Sequence, residues 1–307
     1  MRLRNSCDRR TLVWASAMPA VTAAQYAWPT LLGYFTPLAC YLALCAGVIA
    51  HNHNHCPTFA DRRSNRCFGL WLSVFYGYPT FAWIPTHNQN HHRFVNGPED
   101  ATHTWRYGNR HDLATALTYF FVSSYWQSGP IKAYIRKARE TAPELHRRII
   151  NEYFFWAGAG LVLLAIAIGL HGARLGIQVW LVASLIPAAF ALWTIMLFNY
   201  EQHVHAVPDS QHNHSRSWNG RTVNYLLFNN GFHAAHHEQP GVHWSELPRL
   251  HAALAPAIDP QLIERGLAWY FVKNYLLAPF APRFGTKQLV ISRTISDRQT
   301  SIKQDTC

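Results

Sequence analysis

Charge is scarce in this chain: 14% of its 307 residues are Asp, Glu, Lys or Arg and 49% are hydrophobic, where a soluble domain carries about 25% charged residues. That composition points to a membrane protein. The mean hydropathy of -0.10 does not argue otherwise, because 19 histidines and basic ends lower the average; the apolar runs decide. Acidic residues are the scarcer sign, 16 against 27 basic, for a net charge of +11 with His neutral. Lys and Arg flank the apolar segments, which fits anionic headgroups and cytoplasmic loops rather than nucleic acid. The six cysteines, Cys7, Cys40, Cys45, Cys56, Cys67 and Cys307, contain no C-x-x-C pair and no disulfide-like spacing. Cysteine-held metal is therefore not indicated, and a reducing compartment is expected. G-x-G-x-x-G and H-E-x-x-H are missing as well, which removes a dinucleotide fingerprint and a zinc-protease site. No internal repeat or low-complexity tract is present.

The apolar runs give the organisation. MRLRNSCDRR leads into a stretch of about forty apolar residues without a small-residue cleavage site, read as a retained anchor whose N-terminus is cytoplasmic. Residues 11 to 50 carry no charged side chain, and at about twenty residues per crossing they suffice for two spans turning near Pro29. Residues 67 to 86 are long enough to cross but rich in Trp, Tyr and Pro, so an interfacial or re-entrant segment is expected. A surface-lying helix is expected over 113 to 126, before the basic KAYIRKARETAPELHRR. Residues 153 to 170 and 176 to 198, joined by HGARLG, form the clearest hairpin of spans. The expected fold is an all-α integral membrane protein, a single domain over 1 to 307. It has four transmembrane helices in two hairpins and a multi-pass topology with both termini cytoplasmic. A cytoplasmic helical cap is expected to carry the histidine clusters described below, and the polar tail from about 285 to 307 is expected to be mobile.

Three histidine clusters follow apolar runs: HNHNH at 51 to 55, HNQNHH at 87 to 92 and GFHAAHHEQPGVHW at 231 to 244. His233, His236 and His237 stand at i, i+3 and i+4, so they leave one helical face within a turn of each other and can converge on one point. His51 and His55 share a face and His53 points away. His87 and His91 share a face, and His92 is rotated by about 100°, so one pair serves one metal while its neighbour leans toward a second. Eight histidines on one membrane face exceed what a single tetrahedral zinc uses, and two metals are the natural count. His146 and His171 are read as solvated or interfacial. His243 lies beyond Pro240 and Gly241, where the helix should have ended. His212 and His214 are expected in a solvated loop. Glu201 and Glu238 are the nearest acids, too few for a carboxylate-rich di-iron bundle.

H-x-x-x-H, H-x-x-x-H-H and H-x-x-H-H, in this order with a hairpin of spans after the second, resemble the histidine boxes of the membrane fatty acid desaturase superfamily. The resemblance covers about residues 35 to 250. It implies a non-haem di-iron centre, O2 as co-substrate, and an oxidoreductase that inserts a double bond into a fatty acyl chain. Hydroxylase, acetylenase and ketolase reactions remain open beside it. A non-redox metal-binding membrane protein would need polar residues in its spans, and 153 to 198 offers almost none. The implied ligands in the boxes are His51, His55, His87, His91, His92, His233, His236 and His237. FNYEQHVHAVPD at 198 to 209 resembles the segment where family members supply an extra ligand, which makes His203 the ninth and Asn199 the holder of a metal-bound water. On residues alone, His203 and His205 rank equally. Asp100 either accepts a hydrogen bond from a ligand histidine or sits in the turn beside Pro98. The second box departs from the pattern: three residues separate His87 and His91 where many members have two, which leaves the place of His92 less secure. The substrate is expected to be an acyl-chain lipid or a carrier-linked fatty acid, with 67 to 86 and 113 to 126 bordering its tunnel. With no nucleotide, haem or Cys-held iron site of its own, the chain is expected to use an external ferredoxin, rubredoxin or cytochrome-type donor. Such a donor would dock by an acidic face on the basic cytoplasmic surface. Membrane lipids are the remaining partner, and nucleic acid is not one.

Overall fold

A computed structural model describes residues 2–289. Helix α1 (Asp8–Ala27) ends at Trp28, before Pro29, which has no N–H to donate and disfavours a helical residue ahead of it. A 3₁₀ turn over Pro29–Leu31 leads into α2 (Leu32–His55). The two helices run antiparallel, since Trp14 Nε1 donates to the Tyr41 hydroxyl at 2.9 Å and Gln25 Nε2 to Thr36 Oγ1 at 3.3 Å. Helix α2 is the central element, with every residue from Leu42 to His51 buried. Gly47 lets the Tyr76 ring approach so closely that a Cβ would lie 2.8 Å from it.

The second hairpin is made from α6 (Pro143–Trp180), a π-helical turn (Leu181–Leu185) and α7 (Ile186–His203). Helix α6 reverses at Gly172 (φ 75°, ψ 168°), in the left-handed region that glycine tolerates. Beyond the reversal, Trp180 Nε1 reaches the carbonyl of Gly160 at 3.1 Å, a distance that a continuous helix of 20 residues, about 30 Å long, would forbid. His171 Nε2 donates to Tyr26 O at 2.7 Å, and the Tyr26 hydroxyl meets Ser184 Oγ at 2.9 Å, so both hairpin turns lie at one end of the molecule. The expected hairpins are thus present as pairs of helices. Pro29–His55 and Pro143–His203 are each long and apolar enough to cross a membrane. Phe154, Leu161 and Leu170 on the second hairpin are 73%, 66% and 58% exposed, an apolar surface suited to lipid.

Residues 67 to 86 do not make one long helix. Helix α3 (Arg62–Tyr76) starts on Asp61, whose side chain accepts from Ser64 N, and stops at Gly77 (φ 88°). A 3₁₀ turn (Thr80–Ala82), a π-helical segment (Ile84–His91) and the short α4 (His92–Phe94) follow. Helix α5 (Leu113–Thr141) is longer than the stretch of 113 to 126 expected from apolarity. It runs past Pro130 through a basic half rich in Lys, Ala and Arg, which are good helix formers. The rest is short: α8 (Arg221–Leu226), α9 (His233–Glu238), α10 (Leu247–Leu254), α11 (Leu267–Phe271) and a π turn (Val272–Leu277). Among the described residues the regular structure is helical apart from a two-residue parallel pair, β1 (Ser217–Trp218) with β2 (Ile263–Glu264), and an isolated antiparallel bridge between Leu3 and Phe59. Most of the tail expected to be mobile lies outside the described residues.

Candidate metal centre

Four chain ends carry the histidines to one place: the last turn of α2, the π-helical segment with α4, the last turn of α7, and α9. His51, His55, His87, His92 and His236 form one group, and His91, His203, His233 and His237 a second; within each, one ligand atom per residue lies within 4.8 Å of all the others. In the first, Nε2 of His51 is 2.8 Å from that of His87 and 3.0 Å from that of His236, and His92 Nε2 is 3.0 Å from both. In the second, His233 Nε2 is 2.9 Å from that of His203 and 3.1 Å from that of His237. Imidazoles bound at about 2.1 Å and at right angles around one ion would be spaced by about 3 Å. All nine nominated histidines are in the two groups.

The donor atoms fit a metal in a further respect. His55 Nε2 and His91 Nε2 are buried without a hydrogen-bond partner among the described residues, an expensive state for a polar atom unless something binds it. Nδ1 of His91 donates to Asp100 Oδ2 at 2.7 Å, and Asp100 also accepts from the N–H groups of Asn96 and Thr102 at 2.7 Å each. Burial by itself would raise the pKa of Asp100; the electrostatic pull of the adjacent His91 ring and the hydrogen bonds from His91 and Thr102 outweigh it and hold the carboxyl well below its usual range. The proton of His91 is thereby fixed on Nδ1 and the lone pair on Nε2 faces the group. Asp100 takes both places open to it: its carboxylate lies beside His91, and its N–H closes the turn around Pro98 on the carbonyl of Gly97 at 3.0 Å. Nδ1 of His203 likewise donates to the carbonyl of His214 at 3.0 Å.

Three expectations need correction. The third box does not converge on one point, since His236 joins the first group and His233 and His237 the second. At 100° per residue, His233 and His237 are about 40° apart on α9, whereas His236 and His237 are about 100° apart. In the second box His87 pairs with His92, not with His91. The segment is π-helical and the N–H of His92 bonds to the carbonyl of His87, an i to i+5 pattern that puts residues five apart one turn from each other. The extra residue of this box is absorbed by the π turn. His214 is not in a solvated loop: it is buried, its carbonyl orients His203, and its ring is 5.2 Å from that of His237. Burial pulls its pKa down to about 4.

The remaining candidates stand outside the two groups. Asn199 is buried and donates to the Tyr119 hydroxyl at 2.9 Å. His205 is bound to Thr286 Oγ1 and Asn109 O, His53 to Thr58 Oγ1 and Asn65 O, and His243 to Asp8 at 3.2 Å. Sequence reasoning missed a buried network behind His203. Glu201, fully buried, accepts from Tyr270 (2.9 Å) and Tyr275 and lies 2.9 Å from His111 Nε2. Arg216 donates to the carbonyls of Glu201 and Val204 at 2.6 and 3.2 Å. An acid ending an apolar run was the only signal.

Beside both groups lies a cavity of about 340 Å³. Its inner end is lined by His51, His87, His233 and Asn199, and its walls by apolar side chains including Trp83, Ile195 and Phe198. Helix α5 closes one side with Phe120, Ser124, Gln127, Ser128 and Ile131. Of the two stretches expected to border a tunnel, both contribute.

The family model described as fatty acid desaturase matches residues 26–287. No curated protein and no solved structure matches the chain.

Proposed function

The chain belongs to the fatty acid desaturase family, and from that premise we propose that it is a membrane-bound, O2-dependent fatty acyl desaturase with a histidine-held di-iron centre. The observation that carries the reading is the gathering of nine histidine ring nitrogens into two groups of five and four beside an apolar cavity. His51, His55, His87, His92 and His236 would hold one iron and His91, His203, His233 and His237 the other, since imidazole suits iron. Two irons supply, when bound, the O2-derived oxidising power that removal of hydrogen from an unactivated alkyl chain demands. Asp100 and the carbonyl of His214 keep the protons of His91 and His203 on Nδ1. Asn199, which lines the cavity, would hold a water between the groups and the substrate. Trp83, Ile195 and Phe198 exclude bulk water and orient the chain by shape.

The two hairpins would supply four spans, with the histidine boxes on the cytoplasmic side opposite the hairpin turns. A ferredoxin, rubredoxin or cytochrome-type donor with an acidic face would bring the electrons. Exposed Arg2, Arg4, Arg62, Arg63 and Arg66 support a landing place near the first box. Residues 2–4 are held against the loop after α2 by the Arg4 N to Thr58 O and Ala60 N to Arg2 O bonds. Such steering would weaken with ionic strength.

Two measurements together test the reading. Purified protein should hold roughly two irons per chain, one for each histidine group. Expression in a host with simple lipids should yield unsaturated acyl chains that a His236→Ala variant does not make. Zinc alone with no O2 consumption would overturn it, whereas a new hydroxyl in place of a double bond would keep the centre and change the reaction.

A further inference from the structure

The cavity lining reaches the protein surface on α5. Ser124 and Lys132 are exposed and Gln127 and Ser128 half-buried, while His51, His87, His233 and Asn199 at the inner end are buried. On α5 the lining residues Phe120, Ser124, Gln127, Ser128 and Ile131 recur at three- and four-residue spacing and share a face. One flank of that face, Ala116, Tyr119 and Ser123, is buried in the protein. The other flank carries Leu113, Leu117, Phe121 and Tyr125 at four-residue spacing, exposed to 52%, 44%, 68% and 71%. Around the helix the order is therefore protein core, cavity mouth, apolar surface. The second half of α5 adds exposed Lys132, Arg136, Lys137 and Arg139. An apolar stripe beside clustered cations is the pattern of a helix lying in the headgroup region of an anionic bilayer.

We propose that this mouth is a lateral portal to the bilayer and that its occupant is an acyl chain of a membrane phospholipid, taken in while the headgroup stays at the surface beside Lys132. The proposal rests on reading the cavity as the acyl site. The Tyr119 hydroxyl donates to Thr102 O and accepts from Asn199, which fixes that end of α5 next to the histidines. Lys132 lies twelve residues beyond Phe120, about 18 Å along the axis at 1.5 Å per residue. A headgroup held at Lys132 thus leaves only the hydrocarbon to reach the metal groups. Ser124, Gln127 and Ser128 interrupt the apolar lining near the mouth, where the ester groups of a glycerolipid would pass and need hydrogen-bond donors.

The full chain, loaded with iron and reconstituted in phosphatidylglycerol vesicles, tests this with a phospholipid bearing a diazirine in mid-chain. After irradiation, mass spectrometry should find label on cavity residues such as Phe120, Met196 and Phe198. Ser128→Trp, which fills the mouth, should abolish that label while iron content and thermal unfolding stay unchanged, and Ser128→Ala, which removes one donor but keeps the mouth open, should retain cavity label. Cavity label from a diazirine acyl-coenzyme A but not from the phospholipid would overturn the proposal in favour of a soluble carrier. Label confined to the outer faces of the hairpins would overturn it too. Labelling requires no turnover, so loss of the proposed reaction and loss of the portal are separately visible.

Discussion

The carboxylate of Asp100 lies 2.7 Å from Nδ1 of His91 and is held there by the backbone N–H groups of Asn96 and Thr102. A metal-bound histidine whose far nitrogen loses such a partner typically costs the site about 10- to 100-fold in affinity. Asp100→Asn keeps the shape and removes the charge. It should release the iron of the second group at chelator concentrations that leave the first group loaded, as read by elemental analysis after dialysis against a chelator series. If both irons leave together at the wild-type concentration, the carboxylate is not tuning His91.

Membership of the two groups gives a test by combination. His51 and His236 belong to the first group and His203 to the second, although His236 shares its helix with His233 and His237 of the second. His51→Ala and His236→Ala should each cost one iron, and the double variant no more than one. Combining His51→Ala with His203→Ala should cost both. Neighbours sharing one ion are non-additive, whereas separate sites add. A His51/His236 double variant that loses both irons would contradict the division.

How much of this was legible before the fold varied with the range of the information required. The eight box histidines stood out because few side chains bind metals and these recur at close helical spacing, whereas His203 was separated from His205 only by the family resemblance; the hairpins stood out because a span needs a long uncharged run. The allotment of His91 and His92 was not legible, because it depends on a π-helical hydrogen bond between His87 and His92 that an α-helical wheel assigns wrongly. Nor was the role of His214, which acts through its backbone carbonyl. The Glu201 network joins residues 111, 201, 270 and 275, and nothing local in the chain announces contacts of that separation.

Acid should destabilise the protein even without metal. Burial first, and neighbouring imidazoles second, hold His87, His92, His233, His236 and His237 below the ordinary histidine value. As the pH falls below about 6.5 the unfolded chain protonates these residues and the folded chain does not. The unfolded state then binds more protons, so stability falls with pH, while well above 6.5 this contribution is flat. Asp100, whose folded value is depressed, adds a further loss below about pH 4. The Tm of metal-free protein should therefore drop between pH 7 and pH 5, and a His236→Ala/His237→Ala variant should show a shallower drop. A Tm that rises on acidification would refute the assignment of neutral, buried imidazoles.

Arg216 ties the end of α7 to the segment that follows it, and its removal should unseat His203. The side chain is 1% exposed; its Nη1 donates to the carbonyls of Glu201 and Val204, and its guanidinium sits 5.2 Å from the Tyr270 ring, whose hydroxyl donates to Glu201. Burial keeps Tyr270 protonated far above its ordinary range, so that hydroxyl remains a donor. Arg216→Met fills much of the volume but leaves two buried carbonyls short of a donor, about 1–3 kcal/mol for each acceptor stranded. Arg216→Lys should recover part of this, because an ammonium has no planar fork to span two carbonyls. The expected outcome for Arg216→Met is a lowered Tm with iron lost first from the group containing His203. Arg249 is the control: it pairs with Glu246 at 3.4 Å at the surface, its side chain 85% exposed, and such pairs contribute little. If Arg216→Met unfolds and binds iron as Arg249→Met does, the buried guanidinium does not hold the second group in place.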